Sequence, residues 1–153
     1  MSVFLRVATP ADADELTSMY MRSRNELADY APLVHADAAV HEWIAHVLIP
    51  TGNVILALDD GHIAAMAAYS TAGDVTWLDQ LYVCPRYQRH GNGTALLDTV
   101  KAKTAGDLQL YTFQQNAAAA AFYERHGFVA IAHGDGSDNE EGCPDILYRW
   151  SRG

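Results

Sequence analysis

Cysteine is scarce in this chain. Cys84 and Cys143 are its only two, and they form no CxxC pair. That spacing excludes a zinc ribbon or a dithiol redox motif. Two isolated cysteines read as reduced thiols, as expected of a cytoplasmic protein, and not as a disulfide. Cations are scarce too: 10 Lys and Arg stand against 19 Asp and Glu, for a net charge of −9 over 153 residues. Nucleic-acid binding needs a basic face, so no nucleic-acid partner is expected. No apolar run approaches the roughly 18 residues a membrane helix needs, so no membrane partner is expected either. The opening MSVFLRVATP lacks a basic-then-apolar leader and reads as a first strand. Repeats, low-complexity tracts and linkers are also missing. The expectation is one domain over residues 1–153, with AAAAA at 117–121 a strong helix former.

What is present is a large apolar fraction, half of all residues, and an uneven distribution of charge. Residues 86–103 carry Arg86, Arg89, Lys101 and Lys103 against Asp98 alone, a local +3 that leaves −12 elsewhere. A basic island on an acidic protein can hold a small anion while repelling polyanions, although such a cluster also arises by chance.

Hydrophobic periodicity gives the order of elements. Val3–Ala8 reads as a strand. Thr9 is the N-cap and Pro10 the first position of a helix whose buried face is Leu16, Met19, Tyr20, Ser23 and Leu27, broken at Pro32. A second helix starts near Asp37, carries Val40, Trp43, Ile44, Val47 and Leu48 as its stripe, and stops at Ile49-Pro50. Three strands follow, NVILALDD, HIAAMAAYS and VTWLDQLYV, joined by the turns Asp60-Gly61 and TAGD. A helix from about Thr94 to Lys103, the strand LQLYTF, the helix NAAAAAFYERHGF and two closing strands, FVAIAH and ILYRW, complete the chain. Asn116 suits the N-cap of that last helix and Gly127 its stop. The order β-α-α-β-β-β-α-β-α-β-β implies a mixed α/β sheet of the α+β class: antiparallel hairpins early, crossovers late.

The stretch QRHGNGTALL, Gln88 to Leu97, carries the first functional signal. Glycines let backbone N–H groups approach a ligand closely, and the following helix N-terminus adds about half a positive charge. Arg86, Arg89 and His90 add donors. The third glycine of a dinucleotide fingerprint is replaced by Leu96, and no GK[ST] follows, so neither a dinucleotide fingerprint nor a P-loop is present. The glycines could equally serve only a tight strand-to-helix turn.

Taken with NAAAAAFYERHGF, Asn116 to Phe128, the loop resembles the GNAT superfamily of N-acetyltransferases. Gln88-Arg89-His90-Gly91-Asn92-Gly93 is similar to the family's Q/R-x-x-G-x-G/A loop, and LYVCPRY to the end of its fourth strand. The later segment matches N-x-x-A-x-x-F-Y-x-x-x-G-F at every fixed position. The element order agrees over nearly the whole chain. The resemblance implies acetyl-CoA as acyl-donor co-substrate and an amine acceptor, with direct attack in a ternary complex. It implies splayed fourth and fifth strands, with pantetheine against the backbone of Leu81, Tyr82 and Val83. The pyrophosphate would lie on the N–H groups of Gln88, Arg89, His90, Gly91, Asn92, Gly93 and Thr94. Asn116 would contact the pantetheine, cap its helix, or share both roles. Homodimers are common in the family, but no dimer face is evident in the sequence. A CoA-binding sensor without catalysis, and a protein lysine or N-terminal acetyltransferase, are the alternatives.

Tyr123 matches the family's general acid. A phenol is protonated at pH 7 and can supply the proton a departing thiolate needs; its alternative is to pack beside Phe122. Asp79 is the candidate base, because burial would raise its pKa toward a useful value. Simple alternation puts it on one face with Leu81 and Val83, unless a bulge intervenes, and a structural hydrogen bond or a water base are its alternatives. The acceptor side offers Glu26, Tyr30 and His35, with Arg22, Asn25, Trp43, Asp135 and Glu140 nearby. This acidic and aromatic mixture favours a small cationic amine, whereas Arg22 and Arg24 equally favour an acceptor bearing a carboxylate. No metal is expected. His41 and His46 stand five apart, about 140° around a helix, and Glu140 occupies the position where a calcium loop needs glycine.

Overall fold

The computed structural model describes residues 4–31, 34–88 and 91–152. The chain opens with β1 (Phe4–Val7), a short 3-10 turn at Pro10–Asp12, and α1 (Ala13–Asn25). The turn is fixed from both sides. The Thr9 N–H donates to Asp12 Oδ2 at 2.7 Å, and Arg6 grips the same carboxylate with Nη1 at 2.7 Å and Nη2 at 2.8 Å. Then come α2 (Asp37–Trp43), β2 (Val54–Asp59), β3 (His62–Ala72), β4 (Val75–Val83) and α3 (Asn92–Lys103). The chain ends with β5 (Asp107–Phe113), α4 (Ala117–Arg125), β6 (Val129–Gly134) and β7 (Asp145–Ser151). The mixed α/β class and the element order expected from sequence are both found. Among the described residues, no helix is long and apolar enough to cross a membrane.

The strands form one sheet in the order β1-β2-β3-β4-β5-β7-β6. Every neighbouring pair is antiparallel except β4 and β5, which α3 joins by a crossover and which therefore run parallel. Helices cover both faces of the middle of the sheet. Leu16, Met19, Ile44, Val54, Leu56 and Met66 pack in the core under α1 and α2. Ile55, Ala57, Leu96, Leu97, Leu108 and Tyr123 belong to the core under α3 and α4. Burial on both sides explains why β2 and β3 read as continuous apolar runs, VILAL and IAAMAA, instead of alternating.

Two expectations need correction, and one left open is decided. α3 begins at Asn92, two residues before the Thr94 expected, because Gly91 adopts φ +83° and ends the loop there. Val47 is exposed and not part of the α2 stripe: Ile44–Leu48 form a wider π-helical turn, which breaks the 3.6-residue spacing on which the stripe rested. The third concerns Asp79. The register of β3 on β4 shifts between Ala68 and Tyr69, so Gln80 faces Ala68, Leu78 faces Tyr69, and Asp79 is the extra residue of a bulge. Leu78, Leu81 and Val83 all pack on the α3–α4 side, while Tyr82 packs on the α1–α2 side. The bulge therefore breaks simple alternation, and Asp79 does not share the face of Leu81 and Val83.

Candidate active site

The bulge has a second consequence. Parallel pairing of β4 with β5 ends at Trp77 and Gln109, two residues before Asp79. A bulge bends its strand and increases its twist. Beyond this point β5 continues to pair with β7 as far as Phe113 and Asp145, whereas β4 stays with β3. The two strands splay into a V, and residues 78–83 of β4 have no β5 partner on that side. A cleft of about 1550 Å³ occupies the V and opens to both faces of the sheet.

Leu81, Tyr82 and Val83 line the cleft along β4. Their outward backbone groups lack a neighbouring strand, although the Val83 carbonyl accepts a bond from Ser23 Oγ at 3.3 Å. At the end of β4 the chain makes a 3-10 turn over Pro85–Tyr87 and enters α3. Gln88, Gly91, Asn92, Gly93 and Thr94 all line the cleft. Arg89 and His90, also expected to bind the donor, lie outside the described residues. The first-turn N–H groups of α3 have no partner within the helix and carry its positive dipole end. Gly93 packs against Val83 and Phe122, where an added Cβ would make ordinary contacts of 3.4 Å to Val83 Cγ2 and 3.5 Å to Phe122 Cζ. Asn92 is buried beneath the turn. Its Nδ2 donates to the Tyr87 carbonyl at 3.4 Å, and its Oδ1 has no partner among the described residues.

α4 forms the opposite wall. Asn116 Oδ1 accepts from the Ala119 N–H at 3.1 Å, so its capping role is present, and the residue also lines the cleft. Tyr123 projects from α4 between Phe122, Phe128 and Tyr148, with ring centroids 5.4 to 6.2 Å away. It borders the cleft, and among the described residues no side chain hydrogen-bonds its hydroxyl. Burial pushes this phenol well above its ordinary value and keeps it protonated. Packing and a free proton-bearing hydroxyl are thus combined in one residue.

Across the V, Asp79 reaches solvent through the cleft yet is surrounded enough for burial to raise its carboxyl above the usual range. A hydrogen bond from Ser70 opposes that rise. Glu26 and His35 also line the cleft, but each is already engaged. Glu26 Oε1 accepts from Gln88 Nε2 at 3.2 Å, and His35 Nε2 lies 2.7 Å from Glu140 Oε2. Tyr30 is not in the cleft lining; it packs edge-on to Phe113, with centroids 6.3 Å apart. The loop between β6 and β7 does not simply extend into solvent. Glu140 and Glu141 fold back onto the cleft, and Glu141 Oε2 meets Arg24 Nη2 at 3.3 Å. Tyr20 and Glu141 were not singled out as functional from sequence. Tyr20 sits on the apolar stripe of α1, which hides its polar end at Tyr82, with ring centroids 5.1 Å apart. Cys84 is fully buried, with Arg22 Nη1 4.0 Å from its sulfur, and both cysteines are free.

Residues 19–128 match the family model described as the acetyltransferase (GNAT) family. The chain belongs to the GNAT acetyltransferase family. The same architecture recurs in solved structures. A GNAT-family acetyltransferase from Bacillus cereus is 19% identical, with a TM-score of 0.78 over 99% of both chains. The PaiA N-acetyltransferase of Thermoplasma acidophilum, solved in complex with coenzyme A, is 18% identical, with a TM-score of 0.72 over 99% of this chain and 100% of that one. The ribosomal-protein-S18-alanine N-acetyltransferase of Escherichia coli is 20% identical, with a TM-score of 0.73 over 98% of this chain and 94% of that one. At these identities the likeness is one of fold. No curated protein matches the sequence of this GNAT acetyltransferase.

Proposed function

We propose that this GNAT acetyltransferase is a single-domain cytoplasmic N-acetyltransferase that moves an acetyl group from acetyl-CoA to an amine on a small molecule or peptide. The observation that carries this reading is the V between β4 and β5. It brings an unpaired strand edge, a glycine-opened helix N-terminus and a protonated phenol into one cleft. The residues suit the donor. A pyrophosphate fits the first turn of α3 and the glycines before it, and the amides of a pantetheine arm fit the free side of Leu81–Val83.

The chemistry follows from the positions of two groups. The raised Asp79 carboxyl, directly or through water, takes a proton from the acceptor ammonium. The freed amine nitrogen attacks the thioester carbonyl carbon and forms the new C–N bond. The C–S bond breaks, and Tyr123 gives its phenolic proton to the departing sulfur. The amide and free CoA are the products: the second proton that the nitrogen sheds on becoming an amide returns to the phenolate through solvent, and the proton held by Asp79 is released to solvent. No covalent acyl-enzyme is involved, because the one cysteine adjoining the donor loop is enclosed.

Purified protein mixed with acetyl-CoA and a panel of amines, read by a thiol-detecting reagent, tests the proposal. Amine-dependent CoA release is expected. Tight acetyl-CoA binding with no amine-dependent release from any acceptor would instead identify a non-catalytic acyl-CoA-binding module.

A further inference from the structure

The α1–α2 side of the cleft is built around a buried cation that the proton-transfer steps leave unused. Arg24 lies in the last turn of α1 and is only 2% exposed. Its Nη2 donates to the Ala31 carbonyl at 3.1 Å and to Glu141 Oε2 at 3.3 Å. The guanidinium stands 5.9 Å from the centre of the Phe113 ring. Its Nη1 has no hydrogen-bond partner among the described residues. Guanidinium cannot lose its charge to escape burial, and a buried donor left unpaired is unfavourable. Elsewhere in the cleft the permanent charges have a clear pattern. Among the described lining residues the other permanent cation is Arg125, which adjoins His126, and His126 contacts Thr94 at the donor end. Glu26, Asp79, Asp138, Glu140, Glu141 and Asp145 supply negative charge.

We infer that the acceptor of this transferase carries a carboxylate as well as its amine, and that Arg24 Nη1 receives that carboxylate. The inference rests on the acetyl-transfer reading given above. Glu141 neutralises one edge of the guanidinium and holds it in place, leaving Nη1 to pair with an anion. Arg24, Tyr82 and Tyr123 all line the one cleft, so the anion site and the proton donor share it. The acidic groups that remain suit the ammonium end of the same molecule. A zwitterionic acceptor such as a free amino acid meets both demands. A simple polyamine leaves Nη1 unpaired.

The test compares matched acceptors that differ only in this group: glycine, phenylalanine, lysine and glutamate against their C-terminal amides, with saturating acetyl-CoA. For at least one pair, kcat/KM is expected to favour the free carboxylate by about tenfold to a hundredfold. Arg24→Gln should bring that ratio to within about twofold while acetyl-CoA affinity is retained. Glu141→Gln leaves the buried arginine in place and guards against misfolding of the first variant. By releasing the guanidinium from its partner it should raise the carboxylate-to-amide ratio about threefold. Equal or better use of the amides throughout, or an unchanged ratio in both variants, overturns the inference while leaving acetyl transfer intact. If no acceptor in either set releases CoA while a carboxylate-free amine of the wider panel does, the inference is overturned and acetyl transfer stands; if no amine releases CoA at all, the acetyl-transfer reading falls. The anion site is then decided by calorimetric binding of N-acetylglycine, N-acetylphenylalanine and their amides to the CoA-loaded protein. Tenfold tighter binding of the acids, lost in Arg24→Gln, supports it, and equal binding of acids and amides overturns it.

Discussion

In the proposed mechanism two side chains divide the proton transfers, and their surroundings set the division. Tyr123 is wrapped by aromatic rings, and burial alone drives its phenol upward. It stays protonated through the working range and can donate only when a strong base such as a thiolate forms beside it. Tyr123→Phe keeps the packing and removes the proton, so turnover should fall by about a hundredfold or more while the acetyl-CoA Kd changes less than about twofold. Steady-state kinetics alongside calorimetry measure the two effects. Asp79 behaves in the opposite way: burial raises it but leaves it able to ionise. As a base it works only when ionised, so kcat/KM should climb as pH rises through its elevated pKa. Asp79→Asn should erase that limb of the pH–rate profile. An acidic limb identical in the two proteins would assign the proton to water.

At the scale of the element, the β4 bulge and the start of α3 do most to make the site. One extra residue at position 79 breaks the simple alternation of the strand at a carboxylate and coincides with the parting of two strands. The alternating pattern of VTWLDQLYV could not reveal this, because a bulge is fixed by pairing with β3 and leaves no mark of its own in the strand. The α3 turn was more legible. Gly91 occupies φ +83°, with nothing within 4 Å of an added Cβ, so strain and not crowding would oppose substitution. Gly91→Ala should lower stability by about 1 kcal/mol in chemical denaturation. It should also weaken acetyl-CoA binding several-fold, because the first-turn N–H groups would shift. Intact stability with intact binding would show that the turn needs no glycine.

For the molecule as a whole, two cores meet at one sheet, and the first strand is fastened by charge. Arg6 holds Asp12, tying β1 to the entry of α1 and depressing that carboxyl from 3.8 to about 2. A depressed carboxyl gives stability that is fully present above its unfolded value and lost as pH falls through the folded one. At pH 7, Asp12→Asn should cost about 1 kcal/mol, allowing for screening at the partly exposed Arg6. The gap between the two proteins should close between about pH 4 and pH 2, as followed by urea titrations. A gap that stayed constant with pH would mean that the ion pair contributes nothing. The acceptor side likewise depends on distant segments. Arg24 and Glu141 are 117 positions apart, as His35 and Glu140 are 105 apart, and only the closed fold brings each pair together.

The sequence by itself determined the family and the class of fold, and it pointed to the donor. The loop Gln88–Thr94 and the Asn116–Phe128 motif are local: backbone conformation, helix capping and phosphate affinity all arise within a few neighbouring residues. It also put Tyr123 on the helix that borders the cleft, because a helical motif fixes a side chain relative to its own helix. Tertiary structure decided the acceptor side. It moved Asp79 by a bulge, took Tyr30 out of the cleft to pack on Phe113, and joined the β6–β7 loop to α1 through Glu141. Those outcomes depend on contacts between segments far apart in the chain, and on burial that no single segment can establish.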